Sequence, residues 1–304
     1  MDRLAVEIAG VTFRNPVFLA SGIWGESGLS LGRAFRDGAG AVITKSIGPV
    51  PREGYPNPTV VELGEWGLIN AMGLPNPGIE NYKEEIAIAR KDGAAVVGSL
   101  FGANPEEFAA IAKVMEHSGA VSLELNLSCP HAKGLGSEIG QDPKALSEVI
   151  VAVKKSVRIP VWAKLTPNTH DPGALAEAAV KAGADAISAI NTVRAMAISS
   201  KAMRPVLSHG LGGLSGPAVK PVGLACVWQI YERVKAPIVG IGGITTGEDA
   251  FEYVLAGASA VEVGTALSQK GAGLFREVCA GLEAQIKEHG FSSVKEAVGA
   301  AHRK

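Results

Sequence analysis

The sequence predicts a (β/α)8 TIM barrel with an N-terminal β-hairpin and long loops at the C-terminal face of the barrel. Eight short runs of β-branched and apolar residues recur along the chain, and stretches with helical periodicity separate most of them. Strands that are apolar throughout and alternate with helices are typical of a parallel sheet covered by helices. Eight such units in roughly 250 to 300 residues fit a closed barrel better than an open sheet, which usually has fewer strands.

The first element is a hairpin, because "LAVEIAGVTFRN" alternates apolar and polar residues around Gly10; it is expected to cap the N-terminal face of the barrel. The barrel strands follow, and in chain order they read "VFLAS", "AVITKS", "AAVVGS", "VSLELN", "PVWAKL", "AISAIN", "PIVGIGG" and "AVEVGT". Helical periodicity is clear at residues 105–118, 143–157, 172–182, 219–234 and 246–256. The final "SSVKEAVGAAHRK" predicts an appended amphipathic helix.

Two connections, residues 47–76 and 192–216, are long for simple strand-to-helix loops. Long loops in a compact domain are often functional, and the loops that follow the strands of a TIM barrel build its active site. We therefore expect a functional site at the C-terminal face of the barrel.

Composition favours a single domain over residues 1–304 and a cytoplasmic protein. The 38 glycines and 17 prolines are spread along the chain, and no linker or low-complexity tract divides it. Lys and Arg number 29 against 30 Asp and Glu, and a net charge of -1 gives no field to attract nucleic acid or an anionic membrane. No secretion signal and no run of about 18 apolar residues is visible, so no membrane partner is expected.

Three cysteines, at positions 129, 226 and 279, are widely spaced and form no C-x-x-C pair, which fits reduced thiols and predicts no metal site. Three thiols are also fewer than the four that an ordinary iron–sulfur cluster requires. If electrons leave through such a cluster, another chain must hold it.

Glycines follow the seventh and eighth strands, in "VGIGGITTGEDA" and "VEVGTALSQKG". Backbone N–H groups can approach a ligand closely there, and the helices that follow offer N-terminal dipoles to an anion. A TIM barrel commonly binds phosphate between these two loops, so Gly242, Gly243, Gly264 and Thr265 are candidates to hold one. The alternative is that these glycines only form tight turns.

Two lysines, Lys45 and Lys164, close apolar strands on the side where a barrel keeps its site, although a lysine is usually a solvated surface residue. Beside a phosphate site they indicate a cofactor that gains negative charge during turnover. A reduced flavin carries such charge, so flavin mononucleotide (FMN) fits both features, and no dinucleotide-binding fingerprint follows an early strand.

Asparagines recur at the same level of the barrel, at Asn70, Asn126 and Asn191. An amide both donates and accepts hydrogen bonds, so several in one pocket suit a ring with alternating C=O and N–H groups, such as a pyrimidine. Asparagine is also an ordinary turn residue, so a structural role for any one of them stays open.

Cys129, in "LELNLSCPH", follows the fourth strand and has three possible roles. It can be a small buried apolar residue, a covalent nucleophile with His131 as its base, or a general base that takes a proton from an acidic C–H group. The motif alone does not distinguish them. Cys226 and Cys279 lie in helical patterns and are expected to be core residues.

Seven separated motifs together resemble the class 1 dihydroorotate dehydrogenases, in order and over nearly the whole chain. They are "INAMGLPNPG", "LELNLSCPH", "VWAKLTP", "AINTV", "GGLSGPAVKPVGL", "VGIGGI" and "EVGTA". The form of the first and fifth resembles the catalytic subunit of the 1B subclass, which works with NAD+. The resemblance implies oxidation of dihydroorotate to orotate in pyrimidine (UMP) biosynthesis, with Cys129 taking the C5 proton and N5 of FMN taking the C6 hydride. Membrane-bound class 2 relatives have serine in place of this cysteine.

The resemblance also implies which residues contact each ligand. The expected FMN contacts are Ser21, Lys45, Ser46, Ser99, Asn126, Lys164, Ile190, Gly216, Gly242, Gly243, Gly264 and Thr265. The expected dihydroorotate contacts are Lys45, Asn70, Ala71, Met72, Gly73, Leu74, Asn126, Asn191 and Thr192. The chain departs from the family at His131 and Ser99, where asparagine is common.

A partner is implied as well: an electron-transfer subunit that carries FAD and a [2Fe-2S] cluster and passes electrons to NAD+, in a heterotetramer of two catalytic and two electron-transfer chains. The alternatives are a homodimeric class 1A enzyme that reduces fumarate, a barrel like dihydropyrimidine dehydrogenase that acts on uracil or thymine, a tRNA dihydrouridine synthase, and a non-catalytic phosphate-binding barrel. The net charge gives little support for RNA binding.

Overall fold

The computed structural model describes residues 3–128 and 139–303. Within these residues, eight parallel strands close into a barrel. The strands follow one another around the barrel in the same order as the eight predicted runs along the chain, which confirms the predicted fold class. The strands, in chain order, are β1 (Val6–Ile8), β2 (Val11–Phe13), β3 (Val17–Leu19), β4 (Val42–Ile43), β5 (Val60–Glu62), β6 (Leu68–Asn70), β7 (Val96–Leu100), β8 (Ser122–Asn126), β9 (Val161–Leu165), β10 (Ala186–Ala189), β11 (Val193–Ala195), β12 (Ile198–Ser199), β13 (Arg204–Pro205), β14 (Gly212–Ser215), β15 (Ile238–Ile241) and β16 (Ala260–Val263). The barrel is β3, β4, β7, β8, β9, β10, β15 and β16.

Helices cover the outside of the barrel. They are α1 (Gly28–Arg36), α2 (Ile79–Lys91), α3 (Pro105–His117), α4 (Pro143–Ser156), α5 (Pro172–Lys181), α6 (Lys220–Arg233), α7 (Gly247–Ala256), α8 (Leu267–Lys270), α9 (Leu274–Glu288) and α10 (Val294–Ala297). None of these helices is both long and apolar enough to span a membrane.

Three of the outer helices begin with the same local signal, a polar cap followed by proline. Asn104, Asp142 and Asp171 each accept a hydrogen bond from a backbone N–H of the first turn of α3, α4 or α5. Proline is favoured just after such a cap, because it lacks the N–H that the helix would leave unpaired and its φ already fits a helix. The local sequence thus fixes where these helices start.

The hairpin β1–β2 closes the N-terminal end of the barrel, as predicted. Val6 pairs with Phe13 across the hairpin. The ring of Phe13 lies 4.9 Å from that of Phe18 in β3 and 6.2 Å from that of Trp162 in β9, measured between centroids. All three rings are buried. These aromatic side chains pack against one another inside the barrel, near the hairpin.

The two long loops pair with each other at the opposite end of the barrel. Strands β5 and β6 come from residues 47–76, and β11 and β14 come from residues 192–216. They form one antiparallel sheet in the order β11–β14–β6–β5, in which Gly213 pairs with Asn70. This small sheet brings the asparagine of the first loop close to the residues that follow β10.

The C-terminal residues do not form the single helix that their sequence predicts, and that prediction is wrong. After α9 the chain makes the one-turn helix α10 and then a 3₁₀ turn at Ala300–His302. Between them Gly299 takes a left-handed conformation with φ 68, which ends helical hydrogen bonding. The His302 ring stacks on Trp228 of α6 with 3.5 Å between centroids, so tertiary contacts fix this segment.

Candidate active site

A cavity of about 340 Å³ lies at the C-terminal ends of the barrel strands, next to the sheet formed by the two long loops. Residues at or just past the ends of the barrel strands make its walls, and Val60, Leu68, Asn70 and Leu214 of the small sheet also line it. The cavity therefore lies where a TIM barrel keeps its active site, and its volume is typical of small-molecule sites.

Most of the residues that the sequence singled out line this cavity. They are Ser21, Lys45, Ser46, Asn70, Met72, Leu74, Asn126, Lys164, Ile190, Asn191, Thr192, Gly216, Gly242, Gly243, Gly264 and Thr265. Ser99, Ala71 and Gly73 are not part of its lining. Ser99 is buried behind Ser46, and the two hydroxyl oxygens lie 2.9 Å apart. Cys129 and His131 lie outside the described residues.

Other lining residues were not predicted. The polar ones are Ser215, Thr245 and Glu262. Ser215 lies within the motif "GGLSGPAVKPVGL" and Thr245 lies within "VGIGGITTGEDA", although other residues of these motifs were the expected contacts. Glu262 is a charged residue inside the apolar run "AVEVGT", and a charge at a buried strand position is a signal that could have identified it.

A chain of amide and hydroxyl groups crosses one wall of the cavity. The Asn191 amide donates to Asn126 Oδ1 at 3.2 Å, and the Asn126 amide donates to Ser46 Oγ at 3.1 Å. Ser21 Oγ lies 3.4 Å from Ser46 Oγ. These contacts fix the orientation of both asparagines, so their remaining donors and acceptors are held in position for a ligand.

Lys45 lies at the edge of the cavity and pairs with a carboxylate on the solvent side. Its Nζ is 3.0 Å from Glu26 Oε1; the Lys45 side chain is 10% exposed and that of Glu26 is 73% exposed. An ion pair with so exposed a partner contributes little to stability. A ligand anion can therefore take the place of Glu26 at small cost.

Lys164 stands at the floor of the cavity between two buried carboxyl groups. Its Nζ is 3.1 Å from Glu124 Oε1 and 3.3 Å from Glu262 Oε2, and both glutamates are fully buried. Burial alone would lower the pKa of Lys164, but the two carboxyl groups outweigh it and raise that pKa above its ordinary value. Lys164 is thus a fixed cation at neutral pH.

The loops after β15 and β16 contain backbone N–H groups that have no partner among the described residues. Gly242 and Gly243 have φ of 128 and 68, which favour glycine. No described residue accepts a hydrogen bond from the backbone N–H groups of Gly243, Ile244, Gly264 and Thr265. All four residues line the cavity. Unpaired backbone donors on two adjacent loops make a site suited to a phosphate group.

Asp249 occupies the N-terminus of α7 and orders the first of these loops. Its Oδ2 accepts from the backbone N–H groups of Thr245 and Thr246 at 2.8 and 2.9 Å, and its Oδ1 lies 2.6 Å from Lys220 Nζ. Burial would raise the pKa of this carboxyl, but the hydrogen bonds from Lys220 and Thr245 lower it from 3.8 to about 2. Asp249 therefore already compensates the positive N-terminal end of the α7 dipole. The backbone N–H groups of the loop before α7 are left to bind an anion.

Replacing Asp249 with asparagine should destabilise the protein at neutral pH by about 2 kcal/mol, since charge-assisted hydrogen bonds are lost. A carboxyl with a lowered pKa stabilises the folded state above pH 3.8, and that contribution disappears as the pH falls toward 2. The difference between the wild type and Asp249→Asn should therefore shrink below pH 3.8, measured by urea unfolding. Glu248→Gln, an exposed change in the same turn, is the control. A difference that stays constant with pH would contradict the role of Asp249.

Comparison with known proteins agrees with this geometry. The family model described as dihydroorotate dehydrogenase matches residues 3–286. A dihydroorotate dehydrogenase B (NAD(+)), catalytic subunit, from Pyrococcus furiosus is 53% identical over 99% of both chains. Proteins of the same name from Methanocaldococcus jannaschii and Thermoplasma acidophilum are 50% and 46% identical, over 98% and 100% of both chains. This chain therefore belongs to the dihydroorotate dehydrogenase family.

Proposed function

We propose that this chain is the catalytic subunit of an NAD+-dependent dihydroorotate dehydrogenase, which oxidises dihydroorotate to orotate in pyrimidine biosynthesis. The names of relatives at about half identity over the full length support this activity. The observation that carries the proposal is the cavity itself. It combines unpaired loop amides, two lysines and fixed asparagine amides in one small-molecule site.

The groups at the two ends of the cavity suit the two ends of FMN. The free N–H groups of residues 243, 244, 264 and 265 would hold the phosphate, and Lys164 and Asn126 would face the ring system. Added side-chain volume at Gly243 would collide with Gly216 and Lys220, so this part of the loop has room only for a glycine. When bound, FMN supplies the acceptor for the substrate's hydride.

On the substrate side, we assign the contacts to Lys45, the residues from Asn70 to Leu74, Asn126, Asn191 and Thr192. The asparagine amides match the alternating C=O and N–H groups of the dihydropyrimidine ring. Lys45 can release Glu26 to pair with the substrate carboxylate. The buried ammonium of Lys164 favours negative charge that develops in the cavity.

We assign Cys129 as the general base that takes the proton from C5 of dihydroorotate. The chain preceding it is placed at the cavity, since Asn126 ends β8 and lines the site. Of the other thiols, Cys226 is buried and Cys279 half-buried, both in outer helices. Burial raises the pKa of Cys226 to about 11, which is unsuited to base catalysis at neutral pH.

The relatives are named as catalytic subunits, and this name implies a separate partner chain. We propose that the partner carries FAD and a [2Fe-2S] cluster and passes electrons to NAD+ in a cytoplasmic heterotetramer of two plus two chains. The three cysteines of this chain are too few to hold that cluster. We also take residues 1–304 as one FMN-binding domain.

The subclass is tested by the electron acceptor. The pure chain should not reduce fumarate with dihydroorotate, and addition of the electron-transfer subunit should allow reduction of NAD+. Fumarate turnover by the chain alone would instead indicate a class 1A enzyme.

Gly243→Ala should weaken FMN binding about tenfold or more. The new methyl group would lie 2.8 Å from the Gly216 carbonyl oxygen and 2.8 Å from Lys220 Cβ, at a backbone with φ +68. Backbone strain of this kind costs about 1 to 3 kcal/mol, and 1.4 kcal/mol is a factor of ten in affinity. FMN affinity is measured by quenching of flavin fluorescence. Gly10→Ala is the matched control, since it has φ +84 and nothing within 4 Å. Equal loss of affinity in both variants would contradict the phosphate site.

A further inference from the structure

Among the described residues, the positive and negative groups buried inside the barrel are not equal in number. One ammonium, on Lys164, is shared by two carboxyl groups, on Glu124 and Glu262. These residues come from three different barrel strands, β9, β8 and β16, and are 7%, 0% and 1% exposed. With both carboxyl groups ionised, the cluster would carry a net charge of -1 inside the protein, which is costly.

The described residues around the cluster supply no further cation to balance this charge. Among the described residues that line the cavity, the titratable side chains are Lys45, Lys164 and Glu262. Lys45 is paired with Glu26 at the rim. Below the cluster the barrel is filled by the aromatic rings of Phe18 and Trp162, which stack 6.4 Å apart.

Each glutamate also has one oxygen with no partner among the described residues. Glu124 Oε1 and Glu262 Oε2 face Lys164, whereas Glu124 Oε2 and Glu262 Oε1 are buried and contact no donor among the described residues. Buried polar atoms are rarely left unpaired. Two carboxyl groups can satisfy each other only when one of them carries a proton.

We infer that Glu124 and Glu262 share one proton, so that the Glu124–Lys164–Glu262 cluster is electrically neutral at physiological pH and holds the Lys164 ammonium against the cavity. Burial, and next the charge of Glu124, raise the pKa of Glu262 well above its ordinary value despite the opposing effect of Lys164. A shared proton would form a hydrogen bond between the two carboxyl groups, and such a bond acts in the same direction. Both glutamates are then positioning residues that act through Lys164.

The second part of the inference rests on the proposed function. A neutral cluster leaves the cavity free to accept negative charge, whereas a cluster of net charge -1 would oppose the reduction of a flavin beside Lys164. The shared proton thus removes a negative charge near Lys164 that would otherwise disfavour a reduced cofactor.

Infrared difference spectroscopy of the purified chain tests the proton directly and needs neither FMN nor activity. A protonated carboxylic acid has a C=O stretch above the amide bands that shifts in D₂O. The wild type should show this band at neutral pH, far above the range near pH 4.3 in which an exposed glutamate titrates. Glu124→Gln and Glu262→Gln should each abolish it, because each leaves one carboxylate for one ammonium. Glu116→Gln, a half-buried glutamate on α3 that accepts from two backbone N–H groups, is the control and should keep the band.

Absence of the band from the wild type at neutral pH would overturn the inference, and this result needs no variant. Retention of the band in either single variant would also overturn it, since the proton would then not be shared. Variants are compared only after circular dichroism shows the same fold as the wild type.

The flavin midpoint potential of the FMN-loaded chain tests the second part. Each single variant keeps the cluster neutral and should leave the potential near that of the wild type. The double variant Glu124→Gln with Glu262→Gln makes the cluster positive and should shift the potential upward. An upward shift already in each single variant would mean that both glutamates are ionised in the wild type. If the chain binds no FMN, the proposed function fails while the infrared result still decides the proton.

Discussion

Replacing Cys129 with alanine is expected to lower turnover of dihydroorotate by about 10²- to 10⁴-fold while FMN stays bound. Removal of a general base costs this much when no other group takes its place. Among the described residues of the cavity wall, Lys45, Lys164 and Glu262 are titratable, and each of them is paired with a group of opposite charge. The described residues of the wall therefore offer no free base that could replace the thiolate.

The measurement is steady-state turnover with the partner subunit and NAD+, together with the flavin absorbance of the purified variant. Cys279→Ala is the matched control, because this half-buried cysteine lies on α9 on the outside of the barrel. It should retain turnover. Near-normal turnover of Cys129→Ala with bound FMN would remove the proposed base.

Replacing Lys164 with methionine should have the largest effect on stability, about 3 to 5 kcal/mol, because it leaves two buried carboxyl groups without their cation. Without the ammonium, the opposing effect of Lys164 is lost, and burial raises the pKa of Glu262 still further in the folded state. A raised carboxyl pKa makes the folded protein lose stability as the pH rises above that of an unfolded glutamate. The defect should therefore be smaller at mildly acid pH than at neutral pH.

Urea unfolding of Lys164→Met at several pH values tests this effect. Lys154→Met is the control, because Lys154 also pairs closely with a carboxylate, at 2.6 Å from Asp185, but on the outside of the barrel with 29% of its side chain exposed. Its loss should cost about 1 kcal/mol or less. Adding Glu124→Gln and Glu262→Gln to Lys164→Met should restore much of the stability. A defect in Lys164→Met that is independent of pH would contradict the electrostatic explanation.

The fold could be predicted because its signals are local. Each barrel strand is a short apolar run, and polar caps followed by proline mark the starts of α3, α4 and α5. The pairing of the two long loops was not predictable in the same way. Strand β6 pairs with β14 about 140 positions away, and nothing in either loop identifies the other as its partner.

The sequence predicted those site residues that lie at the ends of barrel strands. The two lysines, the glycines that follow β15 and β16 and the asparagines line one cavity, as the order of strands in a barrel requires. The partners of these residues were not evident from the sequence. Glu124 and Glu262 appear in it as charges within apolar strands, and only the closed barrel brings them to Lys164 from 40 and 98 positions away.

Ser99 and the C-terminal segment show two other limits of sequence reasoning. Ser99 ends an apolar strand like the cavity residues, but it is fully buried and reaches the site only through the hydroxyl of Ser46. The C-terminal segment has helical periodicity, yet the left-handed Gly299 and the stacking of His302 on Trp228 give it a different path. In both cases the local sequence pattern is present, but tertiary contacts give the residues a different position or structure.

The central claim is that this cavity binds FMN and oxidises dihydroorotate. Anaerobic addition of dihydroorotate to the purified chain, followed by its visible absorbance spectrum, tests both parts at once. The protein should be yellow as isolated, and the flavin absorbance should bleach when dihydroorotate is added without any partner subunit. A colourless protein that takes up no FMN, or a bound flavin that dihydroorotate leaves oxidised, would contradict the claim.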